Sequence, residues 1–172
     1  VNAYGQPYNP STASTDLGIP IKTSEEVVDV KYTRNTVQEC YNQIVSDLLA
    51  AEKELSAGSS VKRKSIYRAD STSAILLLSR VYLYMQNWQK AAEYSQKLIN
   101  LHSAIQDINS NNAAFQSIDN PETIFSMGGD DLPNFMCYAS QSLRVSNSLY
   151  NLYSVNDARK DLWYIKYGAF QG

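Results

Sequence analysis

Apolar residues recur at helical spacing through the middle of the chain. Val37, Tyr41, Ile44, Leu48, Ala51 and Leu55 follow one another at steps of three and four, which places them on one face of a helix. Thr36-Val37-Gln38-Glu39 has the form of a capping box. The Thr36 hydroxyl would accept from the Glu39 N–H while the Glu39 carboxylate reaches back. Gln38, Asn42, Asp47, Glu52 and Lys53 fall largely outside the stripe, and Gly58-Ser59-Ser60 ends it. A polar stretch through Lys62-Arg63-Lys64, read as a solvated turn, leads to a second helix predicted over about 70–86, with Asp70 as its N-cap. Its run Ala74-Ile75-Leu76-Leu77-Leu78 is apolar nearly all round, so this helix should be buried on more than one side. Asn87 interrupts. A third helix is predicted from Trp88 to Leu101, with Trp88, Ala91, Ala92, Leu98 and Ile99 as its apolar positions.

The flanks read differently. Residues 1–34 carry Pro7, Pro10 and Pro20 with Gly5 and Gly18 beside them, the mark of an irregular connecting segment. Residues 103–172 are loop-rich, with turn signals at Asn109 to Asn112 and at Gly128-Gly129. Within them Thr123-Ile124-Phe125-Ser126-Met127 alternates enough for a short strand or extended segment. A further amphipathic stretch, about 141–153, shows Leu143, Leu149, Leu152 and Tyr153. The predicted fold is all-α: packed helix pairs with irregular loop insertions. The chain reads as one segment of a domain, irregular over 1–34, helical over 35–102 and loop-rich over 103–172.

Residues 72–102 fit the helix–turn–helix pattern of the tetratricopeptide repeat. With Trp88 as the aromatic that opens the second helix, Leu78 and Ser79 take the Leu and small positions of the first helix, and Ala91 the small position of the second. Tyr82 falls on the first-helix aromatic, so Tyr82 and Trp88 are expected to fill the wedge between the helices. Ser95 replaces the second-helix aromatic and Ser103 stands where Pro is usual, so the repeat is degenerate.

Composition narrows the function classes. A net charge of −2 with scattered Lys and Arg lacks the basic stripe of a nucleic-acid binder. Cys40 and Cys137, the two cysteines, are too few for a disulfide framework or a four-thiolate zinc site and read as small buried hydrophobes. No stretch reaches the ~18 apolar residues of a membrane span. The chain opens Val1-Asn2-Ala3-Tyr4 without Met or a lipid-attachment Cys, so it is expected to be an internal piece of a longer protein.

Tyr4-Gly5-Gln6-Pro7-Tyr8 with Gly18-Ile19-Pro20, the helix from Thr36 to Leu55, and Arg68-Ala69 leading through Val81-Tyr82-Leu83-Tyr84 to Trp88-Gln89-Lys90-Ala91 form an ordered set. Together they resemble the SusD/RagB family of outer-membrane lipoproteins of Bacteroidetes. Ala114-Phe115, Glu122-Thr123-Ile124-Phe125 and Asn156-Asp157-Ala158-Arg159 follow in the family's order. The resemblance implies a tetratricopeptide-like scaffold that captures polysaccharide or oligosaccharide at the cell surface. It further implies an N-terminal lipid anchor, absent from this chain, and delivery to a SusC-like TonB-dependent transporter. No catalysis and no cofactor is expected from it. The alternative is a protein-interaction scaffold that docks the transporter without touching glycan.

Candidate chemistry is sparse. His102, the single histidine, ends the third helix, where a hydrogen-bonding or cationic group suits the exposed carbonyls better than a catalytic role. No Gly-x-Ser-x-Gly elbow is present. Glu25-Glu26 and Asp130-Asp131 are adjacent acids, read as solvated loops rather than as a glycosidase pair. Gly128-Gly129-Asp130-Asp131 lacks the spaced acids of a calcium loop, and no metal site is expected. The ligand-binding candidates are Trp163, Tyr164 and Tyr167, grouped with Phe170 near the C-terminus, and Arg159. Sugar rings stack their C–H faces on aromatic planes, and Asn156, Arg159 and Lys166 could bind hydroxyls. Docking of these aromatics into a core is the competing reading. Tyr4 and Tyr8 are weaker candidates of the same kind.

Overall fold

The computed structural model describes residues 1, 3–27, 29–57, 65–107, 120–127 and 146–162, the side chains of 161 and 162 excepted. The chain divides into two compact units, Val1–Ser103 and Ala104–Gly172. In the first unit, α1 (Val37–Ala57), α2 (Ser71–Tyr84) and α3 (Trp88–Leu101) form a helical stack in which α2 packs against both neighbours. The second unit contains α4 (Asn147–Leu152) and the single turn α5 (Arg159–Leu162).

The start of α1 carries the predicted capping box: Glu39 N–H donates to Thr36 Oγ1 at 3.2 Å, and Thr36 N–H to Glu39 Oε2 at 2.8 Å. Two other N–H groups of this first turn would be orphans in an isolated helix. They are taken by the N-terminal segment: Val37 N–H donates to Asp16 O at 2.8 Å and Gln38 N–H to Ala13 O at 2.9 Å. Residues 9–16 coil through consecutive turns to present those carbonyls, and Ala13 is buried against Val37 and Tyr41. Val1, Tyr8, Val81 and Met85 pack around that cluster. The segment expected merely to connect therefore completes the core.

A short antiparallel bridge, Leu17 to Thr36, holds the segment in register. Gly18 N–H donates to Asn35 O, and the Arg34 guanidinium donates to the carbonyls of Tyr4, Leu17 and Gly18. Gly18 is fixed by close approach: a Cβ there would lie 2.7 Å from Cys40 Sγ and 3.2 Å from Thr36 O. Cys40 is buried, as expected, and its thiol donates to Ile19 O at 3.3 Å. Cys137 lies outside the described residues, as do Lys62-Arg63-Lys64, Asn109 to Asn112 and Gly128 to Asp131.

Asp70 caps α2 as predicted, accepting from Ser73 N–H at 3.0 Å while Ser73 Oγ accepts from Asp70 N–H. The face formed by Ala74, Ile75, Leu78 and Ser79 is buried. The expectation of burial around α2 holds only in part. Leu77, Leu83 and Tyr84 are each about half exposed.

The wedge between α2 and α3 also differs from the repeat pattern. Trp88 is 63% exposed, so it does not fill the gap. Tyr94 does: its ring lies 5.4 Å from that of Tyr82 at 31°. On α3 the inward positions are Ala91, Tyr94 and Leu98, at steps of three and four, whereas Ala92 and Ile99 face outward. The second-helix aromatic thus sits one residue before the position the pattern assigns it. Lys97 on α3 pairs with Glu52 on α1, which holds the lysine's pKa above its ordinary value.

In the second unit, Gln106 and Ile124 are buried, and Gln106 N–H donates to Glu122 Oε1. Thr123–Met127 forms no strand: among the described residues the Leu17–Thr36 bridge is the β-pairing found. Of the amphipathic stretch 141–153, the described part gives α4, with Ser146 as N-cap.

Candidate functional site

Of the predicted ligand-binding residues, Trp163, Tyr164 and Tyr167 lie outside the described residues, and Arg159 lies within them. Arg159 opens α5, a turn that Asp157 nucleates. Lys160 N–H donates to Asp157 O and Arg159 N–H to Asp157 Oδ1. The guanidinium then folds back onto the same carboxylate, Nε to Oδ1 at 2.9 Å and Nη2 to Oδ2 at 2.6 Å. This two-point pairing holds the Asp157 pKa below its ordinary value. Arg159 also stands 5.0 Å from the centre of the Tyr153 ring, and Lys160 stands 4.7 Å from that of Tyr150. Tyr150 and Tyr153, three residues apart at the end of α4, are thereby each covered by a cation. The arrangement combines aromatic planes, a fixed carboxylate and two cations, a set suited to hydroxyl-rich ligands. The sequence reading set Arg159 beside Trp163, Tyr164 and Tyr167; Tyr150 was not singled out, although the Tyr150/Tyr153 spacing was there to read.

Two concave surfaces are formed by described residues of the first unit. One, of about 490 Å³, is bounded by Val1, Ile19, Pro20, Ile21 and Ile44 with the polar groups of Lys22, Gln43 and Asp47. The other, of about 550 Å³, lies where the N-terminal segment meets the α2–α3 turn, with Gln6, Tyr8, Asn9, Thr12, Asp16 and Gln86 on its walls. Tyr8, a weaker candidate from the sequence, is held there by its hydroxyl, which donates to Gln38 Oε1 at 2.6 Å, and by an edge contact with Tyr41. Tyr4 is 83% exposed.

Among the described residues no group of three or more His, Cys, Asp or Glu could hold a metal ion, and no helix is long and apolar enough to cross a membrane. His102 takes the C-cap position of α3, its N–H donating to Leu98 O at 2.8 Å.

Residues 1–83, which contain the N-terminal segment, α1 and most of α2, match the family described as SusD-like, "Starch-binding associating with outer membrane". Over those residues the chain is similar to the SusD-like family. A SusD-like carbohydrate binding protein from Bacteroides vulgatus ATCC 8482 is similar at 29% identity and a TM-score of 0.56, over 63% of this chain and 23% of that one. A second structure from the same organism, described as a sugar binding protein, is similar at 27% identity and a TM-score of 0.50, over 65% of this chain and 26% of that one. The chain thus spans about a quarter of the length of the solved structures it matches. No curated protein sequence matches it. The helical, tetratricopeptide-like architecture read from the sequence is the one the structure has.

Proposed function

We propose that the protein containing this chain is a non-catalytic glycan-capture component of the outer membrane that passes oligosaccharides to a SusC-like TonB-dependent transporter. The match of residues 1–83 to a starch-binding, outer-membrane-associated family carries the reading. The carbohydrate-binding description of the relative from Bacteroides vulgatus supports the ligand class. Capture without chemistry needs planar surfaces for sugar rings and hydrogen-bonding groups for their hydroxyls, rather than a proton-transfer pair. The Tyr150, Tyr153 and Arg159 cluster has that character. Trp163, Tyr164 and Tyr167 are proposed to extend it. Membrane attachment is proposed to be through a lipid anchor on the intact protein.

The test is affinity electrophoresis and calorimetry of the intact protein against a polysaccharide panel. Retardation by at least one glycan is expected, weakened by Trp163→Ala. Binding to no glycan, with the transporter co-purifying, would instead favour the docking scaffold. Release of reducing sugar that one carboxylate substitution abolishes would sink the non-catalytic assignment.

A further inference from the structure

The turn between α2 and α3 contains the one described residue other than glycine with a positive φ. Gln86 lies at +59°. Its place is that of the C′ residue in a Schellman motif: Asn87 N–H donates to Tyr82 O at 2.9 Å and Gln86 N–H to Leu83 O at 3.0 Å. Glycine is the usual occupant of this position, because a Cβ in the left-handed region is strained. Nothing in the turn's own hydrogen bonding calls for a glutamine side chain. A glutamine kept at a position whose backbone conformation favours glycine points to a use for the side chain.

That side chain is on the wall of the 550 Å³ concavity. The rest of the lining comes from the N-terminal segment, whose Gln6, Asn9, Thr12 and Asp16 carry two amides, a hydroxyl and a carboxylate. Three of these groups are already oriented. Thr12 Oγ1 donates to Asp16 Oδ2 at 2.5 Å, and Asn9 Oδ1 accepts from Ser11 N–H, so the Asn9 NH₂ remains as a donor. The Tyr8 ring is clamped by Gln38 and Tyr41 and adds a rigid apolar wall. Amide donors, a carboxylate acceptor and one fixed aromatic ring suit the vicinal hydroxyls and C–H face of a sugar. No Lys or Arg lines the concavity, and its single charge is negative, so a uronic acid or sulfated sugar would be repelled.

We infer that this concavity is a subsite for a neutral sugar ring, with Gln86 and Asp16 as its hydrogen-bonding pair and Tyr8 as its wall. The inference rests on the glycan-capture reading and adds a place and a ligand charge to it. Because the site joins the N-terminal segment to the α2–α3 turn, it exists only when that segment is docked.

Gln86→Gly tests this cleanly, since it removes the side chain while giving the turn its preferred residue. Soluble starch, xylan and galactomannan serve as probes for the intact protein by affinity electrophoresis and calorimetry. For whichever polysaccharide the unaltered protein binds, Gln86→Gly is expected to weaken binding about tenfold, with a melting temperature equal or higher. Asp16→Asn, which keeps the side chain's shape, is expected to weaken it by a similar factor. Unchanged affinity in both variants overturns the subsite and leaves glycan capture standing. If none of the three probes binds the unaltered protein, the subsite and the capture of neutral glycans fall together.

Discussion

Two junctions in the first unit close their backbone in opposite ways. The α2–α3 turn is closed locally: Schellman bonds reach back three and five residues, and Asn87 both ends that turn and caps α3 through its bond from Lys90 N–H. The start of α1 is closed from afar. Its Val37 and Gln38 N–H groups are satisfied by carbonyls of residues 16 and 13, more than twenty positions upstream. A local closure survives wherever the turn forms. A remote one is present only when the N-terminal segment is seated, so the stability of α1 and the order of that segment are one property.

Gly18→Ala strikes the remote junction hardest. The added methyl meets Cys40 Sγ and Thr36 O, neither of which can retreat without disturbing the bridge or the helix start. A loss of about 2–3 kcal/mol is expected by chemical denaturation. Arg34→Ala removes three charge-assisted bonds to carbonyls of the same segment and should cost about 1.5 kcal/mol, discounted for the exposure of the guanidinium. Asp70→Ala is the matching local change: it deletes the α2 cap and should cost about 1 kcal/mol without altering protection of α1 amides in hydrogen exchange. If Asp70→Ala loosens the α1 start as much as Arg34→Ala does, the distinction between the two closures fails.

Glu39 gives the smallest effect and a pH signature. Its pKa is held below the ordinary 4.5, first by the Thr36 N–H, then by the Asn35 amide and the Thr36 hydroxyl. A depressed folded-state pKa contributes stability that is complete above 4.5 and lost as pH falls through the folded value. The melting-temperature gap between the unaltered protein and Glu39→Ala should therefore narrow on acidification below pH 4.5. A gap that widens there would contradict the assigned bond.

The same contrast explains what the sequence could show. Caps at Thr36 and Asp70, and the span of α3 from Trp88 to Leu101, follow from residues within a few positions of one another, and they were legible. The role of residues 9–18 was not, because Ala13 and Asp16 contribute backbone carbonyls, which any residue but its neighbours' geometry could supply. Trp88 was misplaced for a related reason. The repeat pattern assigns the wedge by position, whereas the helix face that meets α2 runs through Ala91, Tyr94 and Leu98. The outward faces of α2, with Leu77 and Tyr84, show that an apolar run fixes how much surface wants cover but not which element covers it. At the candidate site, Arg159 was named for aromatics further along the chain, whereas the described ring beside it is that of Tyr153, and its pairing with Asp157 depends on a turn too short to have a periodicity. Gln86 carried no signal at all, since only the backbone angle sets it apart.

The thiol beneath Gly18 gives the remote junction a clock. Cys40 is 2% exposed, with Ile19 bonded across it through both backbone groups. An alkylating reagent can reach the sulfur only during moments when residues 17–19 lift away. Peptide-resolved labelling at Cys40 would then count those openings, and its rate would convert directly into the free energy of undocking the segment. A sugar seated against Gln86 and Asp16 should slow that clock in proportion to its occupancy, making one cysteine a reporter of both order and ligand.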